Sequence, residues 1–521
     1  MPAPTTMADL LAANAAADPH GEALGAIVGG ELGWLTWGKI NSEVDRVASS
    51  LATAGLAPGD RVLLRGANST AWCIADLAIA RAGGVSVPVH ASAPAPQVEA
   101  ILLCVGARMQ VEGGELRSMA PSDGGPASPP GLATIVFTSG TSGEPLGVML
   151  SHANLLANAA ALSEAVSSHA AAPPGGPEAS QELRLCMLPL SHLYARTCDL
   201  YTWLVRRSRL VLAESRETIL RDCALARPTA INSVPYFCQK LFAEASAGGE
   251  ASVGASLKRL LGGAITHCYS GGAAMAGEIE SAFESAGLPL MSGYGLTEAA
   301  PVVTASTLAA HRAGAVGRPL PGVEVRLDEG EEVLVRGPGV MMGYWRNDAA
   351  TRAAFSDGWL CTGDLGAWTD DGFLIITGRK KELIVLSTGK KASPAALEAK
   401  LAASPWIEQA IVVGEGQPCL GALIVPNPDR LRAEVRRRRL WVWSKRGALN
   451  HPHVRALYAR EIASRVGTEG VGVFTLIGRG FSIERGEMTP KLSLRRGAVA
   501  LHFAPEIARM YAQRRTDAAN R

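Results

Sequence analysis

The residues of this chain that are best suited to chemistry form a short run of glycines and hydroxyl side chains at positions 138–147. The run reads TSGTSGEPLG, with three glycines and four hydroxyl residues in ten positions. Such a loop can bring backbone N–H groups and hydroxyls close to phosphate oxygens, because glycine has no Cβ and readily adopts positive φ angles. A flexible turn would have the same composition. The Walker pattern G-x-x-x-x-G-K-[ST] is absent from the sequence, which disfavours an ordinary P-loop nucleotide hydrolase.

A second loop rich in glycine and hydroxyl residues is predicted at positions 292–298, which read SGYGLTE. Tyr294 lies between two glycines, where its ring could offer a flat face to a purine. Thr297 could donate a hydrogen bond to a phosphate, and Glu298 could bind Mg²⁺ through a carboxylate oxygen. A plain strand-to-helix turn, with Glu298 in the first turn of the helix, explains the same residues without a ligand. Taken alone, this run leaves both interpretations open.

Two further short segments could contact a nucleotide. Asp364 ends the segment WLCTGD and is predicted to follow a small turn, where its carboxylate could accept two hydrogen bonds from a ribose diol. An aspartate that caps a turn is the commoner explanation. The segment SGGA at 270–273 would by itself be only a tight turn. The presence of all four segments in one chain favours a nucleotide site.

The elements around these segments alternate between helical and strand patterns. Positions 71–81 have an apolar helical pattern that stops at Gly83-Gly84, and the strand-like run 85–89 follows. A short apolar strand is predicted at 132–137, directly before the first glycine and hydroxyl run. This alternation predicts βαβ units and a mostly parallel sheet. Exposed loops are predicted at three segments, 112–131, 169–181 and 244–256.

The composition is that of a soluble globular protein, and a small-molecule substrate fits it better than nucleic acid does. Hydrophobic residues make up 47% and charged residues 19% of the 521 positions. Fifty Lys and Arg against 48 Asp and Glu leave a formal charge of +2, which gives no strong field for nucleic acid. The nine cysteines form no C-x-x-C pair and are interpreted as reduced core thiols of a cytoplasmic protein. There is no secretory leader and no run of about 18 apolar residues, so neither export nor a membrane span is expected.

In their order and separation, the segments resemble the adenylate-forming superfamily of acyl-CoA synthetases, which is related to luciferases and to adenylation domains of peptide synthetases. The resemblance covers nearly the whole chain and is carried by TWGKINSEVDRVASSLATAGLAPGDRVLLRGANS, TSGTSGEPLGVMLSH, LPLSHLYAR, SGGAAM, GYGLTE, GWLCTGDLG, GRKKELIVLSTGKKASPAALE and GEMTPKLSLRR. Within the superfamily, SHLYAR, GRKKELIVLSTGKK and LGALIVPN are most similar to long-chain fatty acyl-CoA synthetases. The resemblance implies an α/β fold with two domains. The large N-terminal domain, 1–378, would contain mostly parallel sheets and a β-barrel-like portion, and 379–521 would form a smaller, mobile α+β domain.

The resemblance also implies a reaction. An enzyme of this family joins a carboxylic acid, here a medium- or long-chain fatty acid, to AMP with ATP and Mg²⁺, and then transfers the acyl group to the thiol of coenzyme A. The first step needs no general base, because the attacking carboxylate is already ionised. An anion approaches a polyanion, so catalysis should depend on positioning and on cationic stabilisation by Mg²⁺ and a lysine.

Individual roles follow from the same resemblance. The residues that would hold the β- and γ-phosphates are Thr138, Ser139, Gly140, Thr141, Ser142 and Gly143. Thr297 and Glu298 would act on the α-phosphate and Mg²⁺, with Thr138 as a second metal ligand. The residues implied around adenine are Gly271, Gly272, Ala273, Tyr294 and Gly295. Asp364 and Arg379 would hold the ribose.

The resemblance also implies roles in the acyl and thiol sites for three further residues. His192 lies where the family places an acyl-site residue, although a core or helix-end histidine would fit the position nearly as well. The C-terminal domain would rotate about Lys381 for the second half-reaction. That rotation would bring the Gly389 loop toward the pantetheine thiol of coenzyme A.

The sequence departs from the family pattern at two positions. Leu146 occupies the usual place of a lysine in the phosphate loop and cannot pair with phosphate. Near the C-terminus, alignment on Thr489-Pro490 puts Ser493 in the place of the catalytic lysine. Lys491 is two residues away and, in an extended strand, would lie on the same face about 7 Å off. It is therefore the candidate catalytic lysine, with a solvated lysine beside Arg495 as the alternative.

These departures leave competing hypotheses. A catalytically weakened homologue could bind ATP or an acyl group without turnover, and an active enzyme could transfer the acyl group to a carrier-protein phosphopantetheine instead of coenzyme A. The basic stretch 431–445, LRAEVRRRRLWVWSK, could contact an anionic membrane surface or the coenzyme A nucleotide. A solvated face of a C-terminal helix is the simpler explanation for that stretch. Chain length of the acid, oligomeric state and pathway are not predicted.

Overall fold

The computed structural model describes residues 4–118, 127–138, 145–168, 182–247, 252–272, 275, 277–467, 470–482, 484–488 and 494–519. The strands are β1 Glu22–Val28, β2 Glu31–Thr36, β3 Arg61–Gly66, β4 Val85–His90, β5 Met109–Glu112, β6 Glu115–Ser118, β7 Leu132–Thr138, β8 Leu146–Ser151, β9 Leu183–Cys186, β10 Arg209–Leu212, β11 Ala230–Ser233, β12 His267–Ser270, β13 Leu290–Gly295, β14 Val302–Ala305, β15 Arg318–Pro319, β16 Glu324–Leu327, β17 Glu332–Arg336, β18 Gly343–Tyr344, β19 Phe355–Ser356, β20 Trp359–Trp368, β21 Leu374–Arg379, β22 Ile384–Val385, β23 Lys391–Ala392, β24 Ile407–Val413, β25 Gly421–Pro426 and β26 Val473–Leu476.

The α-helices are α1 Met7–Ala17, α2 Trp37–Thr53, α3 Thr70–Arg81, α4 Ala95–Val105, α5 His152–Ser168, α6 Leu193–Ala195, α7 Thr202–Arg206, α8 Ile219–Ala226, α9 Pro235–Ala247, α10 Val253–Leu260, α11 Gly277–Ser285, α12 Asp348–Ala353, α13 Pro394–Ala402, α14 Pro428–Arg437, α15 Lys445–Asn450, α16 Pro452–Val466, α17 Arg496–His502 and α18 Ala504–Ala519. A π-helical segment spans Arg196–Tyr201, and short 3₁₀ helices span Thr297–Ala299 and Lys380–Glu382. No helix in the described part of the chain is long and apolar enough to cross a membrane.

Two large sheets form the body of the molecule. One has nine strands in the order β15-β14-β13-β12-β11-β9-β10-β1-β2, and its six central strands are parallel. The other has seven strands, β18-β8-β7-β4-β3-β5-β6, and is parallel at its centre. Their helices and inner faces share a core in which the rings of Trp37 and Trp203 stack at 4.7 Å. The predicted α/β architecture with mostly parallel sheets is therefore confirmed.

A third sheet is antiparallel and has the order β16-β17-β20-β19, with β21 paired to β20. It contributes Val333, Val335, Leu360 and Leu374 to the large core. After β21, the chain forms a smaller α+β part with the sheet β24-β25-β26 and its own core. The division of the chain at 378/379 remains a prediction. The structure puts residue 379 at the last position of β21.

Two of the predicted loops are wrong in part. Within 112–131, β5 and β6 form a hairpin, because Gly113 and Gly114 both have positive φ and make a tight two-residue turn. Within 244–256, α9 continues to Ala247 and α10 begins at Val253, because these helices bury residues such as Ala245. The third predicted loop, 169–181, lies outside the described residues.

Candidate active site

One cleft of about 830 Å³ contains most of the described residues that the sequence singled out. Its walls come from the carboxyl ends of the central strands of the nine-stranded sheet, from β20 and β21, and from the 3₁₀ helix Lys380–Glu382. Ligands of open α/β sheets bind at the carboxyl ends of the strands. The fold therefore brings together segments that are far apart in sequence.

Asp364 is the buried member of a polar cluster in this cleft. It lies opposite Arg379 in the antiparallel pair β20–β21, and the Arg379 Nε donates to its Oδ1 over 2.9 Å. The Tyr294 hydroxyl donates to its Oδ2 over 2.8 Å. Burial raises the pKa of Asp364 despite the guanidinium, and the carboxylate in turn raises the pKa of Arg379. Each carboxylate oxygen keeps a further lone pair that could accept a hydrogen bond from a ligand hydroxyl.

The prediction that Asp364 follows a turn is wrong, because β20 is continuous from Trp359 to Trp368. The strand instead bulges: Glu332 pairs with Leu365, whereas Leu334, two residues on, pairs with residue 361, four residues back. Gly363 has φ +73° at the bulge and donates its N–H to the Glu332 carboxylate over 2.8 Å. The bulge aims the Asp364 side chain into the cleft, as bulges near active sites commonly do.

The run 292–298 is also mostly strand, where the sequence suggested a loop. Its first four residues complete β13, because Tyr294 pairs with Thr304 of the neighbouring antiparallel strand β14. The 3₁₀ helix then places Thr297 and Glu298 at the cleft wall. The expected strand-to-helix turn is therefore present, and it presents both residues to the cavity.

Glu298 is oriented by a residue that the sequence analysis missed. The Tyr344 hydroxyl donates to Glu298 Oε1 over 3.0 Å, and both residues line the cleft. Among the residues that the structure describes, no other side chain donates to this carboxylate, so its second oxygen is available to a ligand. Burial and the carboxylate raise the pKa of Tyr344, which stays a donor at neutral pH.

The ends of the predicted phosphate loop are described, and its middle is not. Thr138 ends β7, Leu146 begins β8, and the two residues are paired across the strands and line the cleft. Residues 139–144, which include Ser139, Gly140, Thr141, Ser142 and Gly143, lie outside the described residues. The Glu298 carboxylate and the Thr138 hydroxyl are hard oxygen donors at one cleft, and this donor set fits Mg²⁺, which takes one or two protein ligands and completes its shell with water and phosphate.

The remaining predicted site residues divide into three groups. Those that line the cleft are Gly271, Gly272, Gly295 and Lys381. Those outside the cleft lining are Gly389, in the exposed turn between β22 and β23, and His192, whose ring stacks on His90 at 5.9 Å. Those outside the described residues are Ala273, Lys491 and Ser493.

The cleft contains further polar residues that no local sequence pattern marked. Glu332 accepts from Lys380 Nζ over 2.7 Å, and this hydrogen bond raises the pKa of the lysine. Deeper in the cavity, the wall includes Arg184, Asn232 and Tyr269, from three different strands. Their juxtaposition depends on strand order, which residue spacing along the chain does not encode.

Comparisons with known proteins identify the family. The model of the AMP-binding enzyme family matches residues 11–122 and 112–345, and that of the AMP-binding enzyme C-terminal domain matches 381–515. The chain is 30% identical to the long-chain-fatty-acid–CoA ligase FadD15 of Mycobacterium bovis, over 92% of either chain. It is 30% identical to the feruloyl-CoA synthase of an Amycolatopsis species, over 78% of this chain and 87% of the relative.

Solved structures share the fold of this chain. A crystal structure of the anthranilate CoA ligase AuaEII with anthranoyl-AMP superposes with a TM-score of 0.75 at 18% identity, covering 95% of this chain and 97% of the other. The chain belongs to the AMP-binding enzyme family. The predicted class, an AMP-forming acid–thiol ligase, is confirmed.

Proposed function

We propose that this protein uses ATP to activate a medium- or long-chain carboxylic acid as acyl-AMP and transfers the acyl group to coenzyme A. The observation that carries the proposal is the single cleft that contains both the Asp364 cluster and the Tyr344–Glu298 pair. A diol-binding carboxylate and a metal-binding carboxylate in one cavity suit the two ends of a nucleoside triphosphate. The proposed length of the acid is based on the similarity to the long-chain-fatty-acid–CoA ligase FadD15. The feruloyl-CoA synthase is also 30% identical to this chain, so the experiment below compares different acids.

In the first half-reaction, the residues of the cleft bind ATP and orient it toward the acid. Asp364 and Arg379 would hold the ribose, while Tyr294 with Gly271 and Gly272 would flank the adenine. Thr297 would donate to the α-phosphate, and Thr138 with residues 139–143 would hold the outer phosphates. Glu298 and Thr138 would hold Mg²⁺, whose chemistry there would be to neutralise charge on the phosphate oxygens. The acid's carboxylate oxygen forms a bond to the α-phosphorus while the bond to pyrophosphate breaks.

For the second half-reaction, we propose that residues 379–521 rotate about Lys381 relative to residues 1–378. The coenzyme A thiol then releases its proton to solvent, and its sulfur forms a bond to the acyl carbon while the bond between that carbon and the AMP oxygen breaks. Lys381 lies in the short 3₁₀ helix that follows β21 and lines the cleft, which suits a pivot. Gly389 would approach the thiol only after such a rotation.

The catalytic lysine remains a proposal. Lys491 is bracketed by Met488 and Leu494, which form an antiparallel bridge, and the backbone N–H of Arg495 donates to the Glu487 carbonyl over 2.8 Å. Glu487 is fully buried and accepts from Arg479 over 2.7 and 2.8 Å. These contacts place residue 488 beside residue 494, while Lys491 itself lies outside the described residues, so its catalytic role rests on the sequence resemblance.

We also propose a reducing, cytoplasmic location with contact to anionic membranes. The nine cysteines are free thiols. Positions 428–446 carry eight Lys and Arg against two acidic residues, a net charge of +6, whereas the whole chain carries +2. Within this segment, Trp441 and Trp443 are 86% and 87% exposed. Exposed tryptophans among cations suit the headgroup region of a bilayer. Helix α14 ends at Arg437 and α15 begins at Lys445, so both tryptophans lie between helices and the simple solvated helix is an incomplete explanation.

The test is product analysis with ATP, Mg²⁺, coenzyme A and a series of medium- and long-chain acids. We expect equal amounts of pyrophosphate, AMP and acyl-CoA. Acyl-AMP that is consumed only when a phosphopantetheinylated carrier protein is added would favour the carrier alternative. ATP binding without pyrophosphate release for any acid would favour the weakened homologue and overturn the proposal.

A further inference from the structure

The part of the cleft that extends beyond the nucleotide residues has one strongly polar wall. Arg184, Asn232 and Tyr269 line it, and they come from the adjacent strands β9, β11 and β12. Asn232 pairs with Tyr269 across β11 and β12. Arg184 pairs across β9 and β11 with Ala230, which lies two residues before Asn232. Side chains two residues apart share a face of a sheet, so all three point to the same side. Arg184 therefore lies about 7 Å further from the carboxyl ends of the strands than Asn232 and Tyr269 do, at roughly 3.3 Å per residue.

Arg184 is a buried cation whose donors are only partly used. Its side chain is 3% exposed, with Nε donating to Glu182 and Nη1 donating to the Cys198 carbonyl over 2.9 Å. Within the described ranges, no acceptor is found for its third nitrogen, Nη2. The Tyr269 ring lies 5.6 Å from the guanidinium, and its hydroxyl likewise has no hydrogen bond to the residues that the structure describes.

A plain hydrocarbon is a poor occupant for this wall. Desolvating a hydrogen-bond donor without giving it an acceptor costs about 1–3 kcal/mol. Leu162, Val166, Val302 and Ala305 provide apolar lining in the same cavity, which suits the body of an acyl group. The cavity is therefore amphipathic, with hydrocarbon contacts and a separate set of donors.

The charged side chains around Arg184 favour a substrate whose polar group is neutral. The charges of Arg184 and Arg206 are matched by Glu182, which pairs with both, and by Asp199. Burial raises the pKa of Asp199 to about 6, whereas the Asn232 amide, which donates to Asp199 Oδ1, and the nearby Arg184 favour its ionised form. A second carboxylate on the substrate would add an unmatched buried charge, and an ammonium would meet Arg184.

We infer that the acid carries a neutral oxygen, as a hydroxyl, ether or oxo group, on the part of its chain that reaches Arg184 and Tyr269. This inference rests on the proposed function and adds a substrate class to it. Such an oxygen accepts from Arg184 Nη2 or the Tyr269 hydroxyl, while the rest of the chain contacts the apolar lining.

The test compares acids of equal carbon number that are unsubstituted, hydroxylated, oxo-substituted or terminated by a second carboxylate. For the wild type, we expect kcat/KM for pyrophosphate release to be at least about tenfold higher for the best hydroxy or oxo acid than for its unsubstituted partner, roughly one hydrogen bond. Tyr269→Phe should lower that ratio about threefold or more, because it removes one of the two donors to the substrate oxygen. Tyr236→Phe, an exposed tyrosine outside the cleft, is the matched control.

Equal or better use of unsubstituted acids by the wild type would overturn the inference, as would a ratio that Tyr269→Phe does not change. A dicarboxylic acid as the best substrate would also overturn it, by showing that the pocket accepts charge. In these cases pyrophosphate is still released, so the proposed function stands. If no acid releases pyrophosphate, the proposed function fails and the inference fails with it.

Discussion

Asp364 and Arg379 lie directly opposite each other on adjacent antiparallel strands, with Arg379 Nε 2.9 Å from Asp364 Oδ1. The pair, together with Tyr294, fixes a carboxylate in the cleft where the ribose diol is proposed to bind. Asp364→Asn keeps the shape but removes the charge that strengthens these hydrogen bonds. We expect kcat/KM for ATP to fall about 10- to 100-fold, mainly through a higher KM, because charge-assisted hydrogen bonds contribute about 1.5–3 kcal/mol.

The matched control for this change is Asp370→Asn, on the same hairpin but exposed and outside the cleft lining. Steady-state kinetics with ATP as the varied substrate measure both variants. An unchanged KM for ATP in Asp364→Asn would show that the carboxylate does not contact the nucleotide.

The Tyr344–Glu298 hydrogen bond predicts a dependence on magnesium. Tyr344→Phe removes the donor that orients the carboxylate, so we expect the Mg²⁺ concentration for half-maximal pyrophosphate release to rise about three- to tenfold. Glu298→Gln removes the charge and should lower kcat about 100-fold or more. Tyr236→Phe serves as the control. If Glu298→Gln retains full activity at low Mg²⁺, Glu298 is not a metal ligand.

The sequence could predict those site residues that stand in contiguous glycine, hydroxyl and carboxylate segments. Thr297, Glu298 and Asp364 were visible for that reason. Tyr344 was not, because its role depends on Glu298, 46 positions away. Glu332 bonds Gly363 across 31 positions, and no residue type near it marks that contact.

Two buried ionisable groups near the polar wall of Arg184, Asn232 and Tyr269 predict an effect of pH on stability. Folding raises the pKa of Asp199 from 3.8 to about 6, so between these values the folded chain binds more protons and loses stability as pH rises. Folding lowers the pKa of His267 from 6.5 to about 4, because it is buried, so there the unfolded chain binds more protons and stability rises with pH. The two effects oppose each other between about pH 4 and 6.

Asp199→Asn removes only the first of these effects. The variant should therefore gain stability with rising pH from 4 to 6 more steeply than the wild type, by an amount on the order of 2 kcal/mol across that window. Thermal midpoints measured across the window test this, with Asp370→Asn as the control. Parallel Tm profiles for the variant and the wild type would contradict the prediction.

The basic segment with its two exposed tryptophans predicts binding to anionic vesicles. Replacing Trp441 and Trp443 with serine should weaken binding about tenfold or more, because both rings lose their place at the interface. Arg436→Gln with Arg439→Gln should weaken it by about 1 kcal/mol per charge and reduce its dependence on salt. Vesicle co-sedimentation measures both, with zwitterionic vesicles as the control. Equal binding to both vesicle types, or no binding, would contradict the proposal.

The fold was predicted most reliably where local pattern and tertiary pairing agree, as in the strand 132–137 and the helix 71–81. The segments 292–295 and 359–364 were misjudged, because glycine and hydroxyl residues favour loops locally. There, pairing of β13 with β14, and of β20 with β17 and β21, outweighs local preference. The polar wall formed by Arg184, Asn232 and Tyr269 was not predicted, because it depends on the order of β9, β11 and β12 in the sheet.

The central claim is the formation of acyl-AMP, and acid-dependent exchange of labelled pyrophosphate into ATP tests it without coenzyme A. We predict exchange that requires both the acid and Mg²⁺, that falls about 100-fold or more in Glu298→Gln and that is retained in Asp370→Asn. Bound ATP with no exchange for any acid would contradict the account.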